Sequence, residues 1–173
     1  MKKFLVGLII FIVILVAILI QVNLLSVVTF FGTAANIGIV LATGIGLMCG
    51  KEIGGIIGGI YGLIYDIMFG KAIGIYLLLY MLTGYLSGKI GKGFSKENKT
   101  TMIMMTSVSS ILFNIFFLIL AKMIYGYDNA ILYSIFTIIK ETIYNLIVAM
   151  ILFKPMLLLA EIINKSKNSY YLL

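Results

Sequence analysis

The chain has 173 residues, 62% hydrophobic and 11% charged, with a mean hydropathy of +1.19. One globular core of this size cannot bury so much apolar surface, which excludes a soluble protein, and spans of roughly 20 residues allow at most about seven crossings. There is no His and no Trp, and all 13 basic residues are Lys, which removes a histidine-ligated metal, a histidine base and an arginine phosphate clamp.

The first apolar run, residues 4–25, follows Lys2 and Lys3. It is too long for a signal-peptide core and has no clear small-x-small cleavage site, so it is read as a retained span. A second run covers 34–49, and Lys51-Glu52 separates it from a third at 53–69. Gly70-Lys71 then forms a tight connection to a fourth at 73–90. The one long polar stretch, 91–100, carries Lys92, Lys96, Glu97, Asn98 and Lys99. A fifth run at 102–125 turns through Gly126, Tyr127, Asp128 and Asn129 into a sixth at 130–153. Pro155 is expected to end or kink that helix, leaving a tail of 156–173 whose apolar part lies along the interface. The reading is an all-α membrane protein, a single compact bundle of six transmembrane helices.

A net charge of +7 would suggest nucleic acid in a soluble protein, but here it reports topology and no nucleic-acid partner is expected. With the N-terminus inside, ten lysines fall on the inner side, Lys71 and Lys122 fall outside, and Lys140 lies within a span. Both termini are therefore expected in the cytoplasm of a bacterial inner-membrane protein. The 91–100 segment is read as a solvated cytoplasmic loop in touch with anionic membrane lipid.

Gly54, Gly58 and Gly62 recur every four residues, and the ridge continues through Asp66 to Gly70 and Gly74, with Gly55 and Gly59 beside it. Gly38, Ala42, Gly46 and Gly50 repeat the pattern in the second span, as do Gly84 and Gly88 in the fourth. Small residues at this spacing let helix backbones approach closely, which matters in lipid because no hydrophobic effect drives helices together there. Internal packing is the economical reading of most of these glycines. A phosphate-binding loop is a poor alternative, because the runs are intramembrane and no Gly-Lys-Ser/Thr follows.

Asp66 is the one acid inside an apolar run of the first five spans. A cap or ion pair fixing the third-to-fourth turn, with Lys71 or Lys122 as partner, is preferred over a proton relay. Lys140 and Glu141 are placed near the centre of the sixth span, where each charge costs roughly 2.5–3.5 kcal/mol. Glu141 shares a face with Asn145, Lys140 shares one with Tyr144 and Thr137, and Asn114 on the fifth span is the expected neighbour. Two readings stand: a polar pocket for a ligand or partner, and an internal hydrogen-bonded cluster that fixes helix register.

The run from Gly54 through Asp66 to Gly74, followed by Leu82, Gly84, Tyr85 and Gly88, resembles the bacterial rod shape-determining protein MreD family. Glu141-Thr142-Ile143-Tyr144-Asn145 with Pro155 about ten residues on is similar to that family's Tyr-Asn element. The resemblance implies a non-enzymatic membrane component of the cell-elongation machinery, without cofactor or metal. It implies an MreC-like single-span partner and, through it, MreB, RodA and a class B penicillin-binding protein in sidewall peptidoglycan synthesis. It also implies a fold similar to the substrate-binding S component of energy-coupling-factor vitamin transporters.

Two functions follow. In the first, a scaffold holds the partner's transmembrane helix, with the glycine ridges giving close approach and Asp66, Glu141, Tyr144 or Asn145 setting register. In the second, a transporter subunit uses the same polar residues around a small molecule. Against the second, the outer loops are short and offer neither Trp nor Arg, and the first span lacks alanines at four-residue spacing. An enzyme ranks third, because Asp66 and Glu141 are separated in depth and no basic phosphate ligands accompany them.

The expected orientation places Cys49 at the inner end of the second span. A membrane-impermeant thiol reagent applied to intact cells should leave it unlabelled, and labelling from outside would reverse the topology.

Overall fold

The computed structural model describes residues 2–23, 33–70, 72–95, 98–125 and 131–168, which form six α-helices and one 3-10 turn. They are α1 (Lys2–Asn23), α2 (Ile37–Cys49), α3 (Lys51–Phe69), α4 (Ile75–Ile90), α5 (Lys99–Tyr125) and α6 (Ile131–Asn168), with the 3-10 turn at Gly91–Gly93. Four segments are long and apolar enough to cross a membrane: Phe4–Asn23, Lys51–Phe69, Lys99–Leu120 and Ile135–Ser166. The chain is thus an all-α integral membrane protein. The other two helices are short: the 13 residues of α2 and the 16 of α4 rise about 20 and 24 Å, against about 30 Å of hydrocarbon.

α2 explains the architecture. Its sequence, Ile-Gly-Ile-Val-Leu-Ala-Thr-Gly-Ile-Gly-Leu-Met-Cys, has no polar face, and every one of its residues is buried. A helix apolar all round belongs at the centre of a bundle. α3, α4, α5 and α6 surround it, and α1 touches it more lightly. Asn36 starts α2, its side chain accepting from the Ile39 N–H at 3.3 Å. Gly50 ends it at φ 99°, a left-handed conformation that favours glycine, and α3 begins at the next residue. Lys51 and Glu52, expected to interrupt the apolar runs, form the first turn of α3, where Glu52 suits the positive end of the helix dipole.

α3 and α4 form the most extensively packed pair. Their contact is antiparallel and made of backbone. A Cβ on Gly54 would stand 2.6 Å from the Gly84 carbonyl oxygen, one on Gly58 2.9 Å from the Tyr80 carbonyl carbon, and one on Gly62 2.6 Å from the Leu77 Cα. At the other end, a Cβ on Gly88 would reach the Lys51 Cα at 2.5 Å. Gly46 of α2 joins the same contact, lying against Gly54 and Gly84. The glycine ridge is therefore occupied within the chain, where one helix lies directly on the next.

The last helix differs from expectation. Pro155 does not end it: α6 continues to Asn168, so the first part of the expected tail is helical and residues 169–173 lie outside the described set. Proline forfeits one backbone hydrogen bond and costs about 3 kcal/mol inside a helix. Beyond it, Met156, Leu159, Ala160 and Ile163 are buried on one face against the core, and that burial offsets the loss. Asn164 also donates to the Met48 carbonyl at 3.4 Å, tying the end of α6 to the end of α2.

α1 is the loosest element. It makes few contacts with α2, α3 and α6 and leaves an apolar groove on each flank, about 460 Å³ toward α3 and about 390 Å³ toward α6.

Adding a methyl group should separate the two kinds of glycine. Gly58→Ala forces its Cβ into the α4 backbone and should cost about 1–3 kcal/mol. Gly59→Ala meets the Met81 Cβ at 3.6 Å, ordinary contact, and should leave stability near wild type. Thermal unfolding of the two purified variants in one detergent tests the difference.

A buried polar layer as the candidate functional site

The N-terminal ends of α2 and α4 leave backbone N–H groups without intrahelical partners in surroundings poor in water. Each end is met by side chains from other helices.

At α4 the partner is Asp66. Its side chain is 1% exposed, and its carboxylate accepts from the backbone N–H groups of Gly74 at 2.9 Å, Leu77 at 2.9 Å and Tyr76 at 3.2 Å. Gly74 adopts φ 112°, which a side chain would strain, and Gly70 N–H donates to the Asp66 carbonyl at 2.8 Å. Asp66 thus caps the end of α3 with its backbone and the start of α4 with its side chain. Its negative charge faces the positive end of the α4 dipole. Lys71, one expected ion-pair partner, lies outside the described residues; Lys122 is exposed.

At α2 the partners are Gln21, Asn36 and Asn145. Gln21 of α1 bridges the entry, donating to the Ala35 carbonyl at 2.9 Å and accepting from the Ile37 N–H at 2.6 Å. Asn145 of α6 is fully buried; its Oδ1 accepts from the Asn36 N–H at 2.6 Å and its Nδ2 donates to the Ser110 hydroxyl of α5 at 3.0 Å. The Asn36 Oδ1 also accepts from the Tyr80 hydroxyl of α4 at 2.8 Å. Four helices and the turn before α2 therefore meet in one hydrogen-bonded layer.

Glu141 joins it. Its carboxylate is hydrogen-bonded to the side chains of Asn36, Asn114 and Asn145, three amides from three parts of the chain. The expected neighbour Asn114 is present, and its Nδ2 also donates to the Ser110 carbonyl at 3.0 Å. An amide nitrogen carries two hydrogens, so Asn114 and Asn145 each serve Ser110 and the carboxylate together. Glu141 thus lies beside the start of α2 and level with Ser110 and Asn114, midway along α5. Lys140 and Tyr144 are half-buried on the same helix.

Sequence reasoning missed three contributors. Asn36 was read as part of an apolar run, Gln21 as a span residue, and the tyrosines were not singled out. Tyr61 and Tyr65 on α3 face Tyr76 and Tyr80 on α4, with ring centroids 5.0 Å apart for Tyr61–Tyr80 and 4.8 Å for Tyr65–Tyr76. Phe113 and Phe117 of α5 close the cluster at 4.8 Å from Tyr80 and 5.5 Å from Tyr76. The i, i+4 pairing of tyrosines on two consecutive helices was the available signal.

The structure places the expected site residues in two groups. Glu141 and Asn145 share the layer at the start of α2, while Asp66 serves α4, and Gly54, Gly58, Gly62, Gly70, Gly84 and Gly88 lie in backbone contacts. Among the described residues, no three His, Cys, Asp or Glu side chains converge. Chemically, the layer does what satisfied buried networks do: it fixes which helix meets which, and at what height.

The model of the family described as rod shape-determining protein MreD matches residues 1–163, so the chain belongs to that family, one of structural shape-determining proteins. No curated protein and no solved structure matches the chain, so the likeness to transporter S components gains no support from them.

Removing the caps should cost more than removing ordinary polar groups. Asp66→Ala leaves three buried N–H groups unpaired and should destabilise by at least about 3 kcal/mol, with Asp66→Asn intermediate. Asn145→Leu strands the Asn36 N–H and should cost about 1–3 kcal/mol. The Thr43 hydroxyl is buried without a hydrogen-bond partner, so Thr43→Val should be neutral or stabilising in the same unfolding assay.

Proposed function

We propose that this MreD-family chain is a non-catalytic scaffold of the bacterial cell-elongation machinery. It sits in the inner membrane with both termini cytoplasmic and binds the single transmembrane helix of an MreC-like partner. Through that partner it supports the work of MreB, RodA and a class B penicillin-binding protein in sidewall peptidoglycan synthesis and rod shape. The family match over residues 1–163 is the observation that carries the reading.

The structure changes how such a scaffold would work. Gly54, Gly58 and Gly62 lie against α4, so the partner's helix contacts outward faces instead of the ridge. Glu141 and Asn145 act on that contact indirectly, by holding α5 and α6 in register with α2. A scaffold of this kind needs no reacting group, only a fixed surface.

Affinity purification of the tagged chain from membranes co-expressing the MreC-like protein tests the reading. The partner should co-purify in stable ratio, and deletion of the gene should round rod-shaped cells. Gly59→Ala should retain the partner, while Asn145→Leu should lose it in step with its loss of stability. Absence of the partner from wild-type preparations, together with normal rods after deletion, would remove the proposal.

A further inference from the structure

We propose that the cavity between α4 and α5 is a binding site for water, held by the hydroxyls of Ser109 and Thr83. The two helices run antiparallel and pair their rings, Tyr76 with Phe117 at 5.5 Å between centroids and Tyr80 with Phe113 at 4.8 Å. Each step moves four residues forward on α4 and four back on α5, so the next level sets Gly84 opposite Ser109, with Thr83 beside Gly84. Small side chains replace the rings there, and α4 packs more thinly on α5 than on α2 or α3. The result is a cavity that leaves the centre of a water molecule about 30 Å³ to move in.

The lining selects the occupant. Leu82, Leu86, Met105 and Phe113 give apolar walls, and no charged residue lines the cavity. Thr83, Ser87 and Ser109 also line it, each at least nine-tenths buried. Thr83 donates to the Leu79 carbonyl at 2.8 Å and Ser87 to the Gly84 carbonyl at 3.1 Å, and the Ser87 oxygen lies against Gly46 of α2. The Ser109 hydroxyl has no hydrogen-bond partner among the described residues. Its hydrogen needs an acceptor, and the Thr83 oxygen, its own hydrogen committed, keeps lone pairs that accept.

Water meets both needs. At least one molecule fits, and two hydroxyls from facing helices supply the polar partners that a buried water requires. Ser109 donates to the water oxygen, and the water donates to the Thr83 oxygen, leaving the Thr83–Leu79 bond in place. A lipid methyl group could fill the same space, but it would leave the Ser109 hydrogen without an acceptor, a cost that water avoids. α4 is therefore joined to α3 by backbone contact and to α5 through solvent. The site involves neither the partner nor the polar layer, so it stands apart from the scaffold reading.

A density map of the full chain in lipid nanodiscs, at a resolution that shows ordered water, tests it without any substitution. A discrete peak should stand within about 2.5–3.0 Å of both the Ser109 and Thr83 hydroxyl oxygens. Thermal unfolding gives a second readout. Ser109→Ala should lower the melting temperature by roughly 2–4 °C, the shift expected for one hydrogen-bonded group in a chain of this size. Thr83→Val breaks the same bridge, so the double variant should melt close to the less stable single variant instead of showing the summed loss. Loss of a hydroxyl that bonds to nothing would do the reverse, holding or raising the melting temperature of Ser109→Ala. That result overturns the proposal, as does a map with no peak, with lipid-chain density in its place, or with Ser109 bonded directly to Thr83.

Discussion

The rest of this bundle depends on the absence of side chains where α2, α3 and α4 meet. Lipid tails are as apolar as leucine, so apolar burial does little to draw transmembrane helices together, and close packing must do the work. Gly46, Gly54 and Gly84 bring three backbones together at one place, and Gly58, Gly62 and Gly88 extend the α3–α4 seam in both directions. Each contact is weak, but dispersion sums over many atom pairs only when surfaces lie within a few tenths of an ångström of optimum. This seam holds α2 at the centre and positions the ends of the two short helices against other chain segments.

Those ends create the second requirement. A long spanning helix carries its termini to the interface, where water can meet the free N–H groups. α2 and α4, at about 20 and 24 Å, do not span the full hydrocarbon thickness on their own axis. Asp66 meets the N-terminus of α4; Asn36, Gln21 and Asn145 meet that of α2. The two acids central to the sequence reading, Asp66 and Glu141, thus both stand at helix N-termini. There the local dipole and a set of donors offset much of the cost of a carboxylate in the bundle. The charged residues that look functional in an apolar sequence follow from having short helices inside a membrane.

What was legible in the sequence follows from this division. Apolar runs and turn residues located all six helices to within a few residues at most ends, because hydropathy and glycine punctuation act locally. The glycine period announced close packing but not its partner, since a smooth face fits a neighbour in the same chain or in another. Asp66 was readable as a turn-fixing cap because its role lies within eleven residues of sequence. Asn36 was not, because its partners Tyr80 and Asn145 are distant in sequence and an asparagine in an apolar run carries no period. Of the two outcomes expected at Pro155, an end or a kink, the end does not occur, for the opposite reason. The local cost of the proline is real, but buried residues on the far side outweigh it, and that burial is visible only once α6 packs on α2.

The molecule therefore has an uneven construction. α2, α3 and α4 are joined by backbone contact and capped by buried polar groups, and α5 and α6 are registered on them through Ser110, Asn114, Glu141 and Asn145. α1 is held at one end by Gln21 and otherwise by apolar side chains across two grooves. Local stability tracks buried contact, so α1 is the element whose position is set least by the chain and most by what surrounds it. A scaffold must present a constant surface and still accommodate its membrane. Here the constant part is the capped, glycine-packed core, and the accommodating part is the one helix that the core leaves only partly covered.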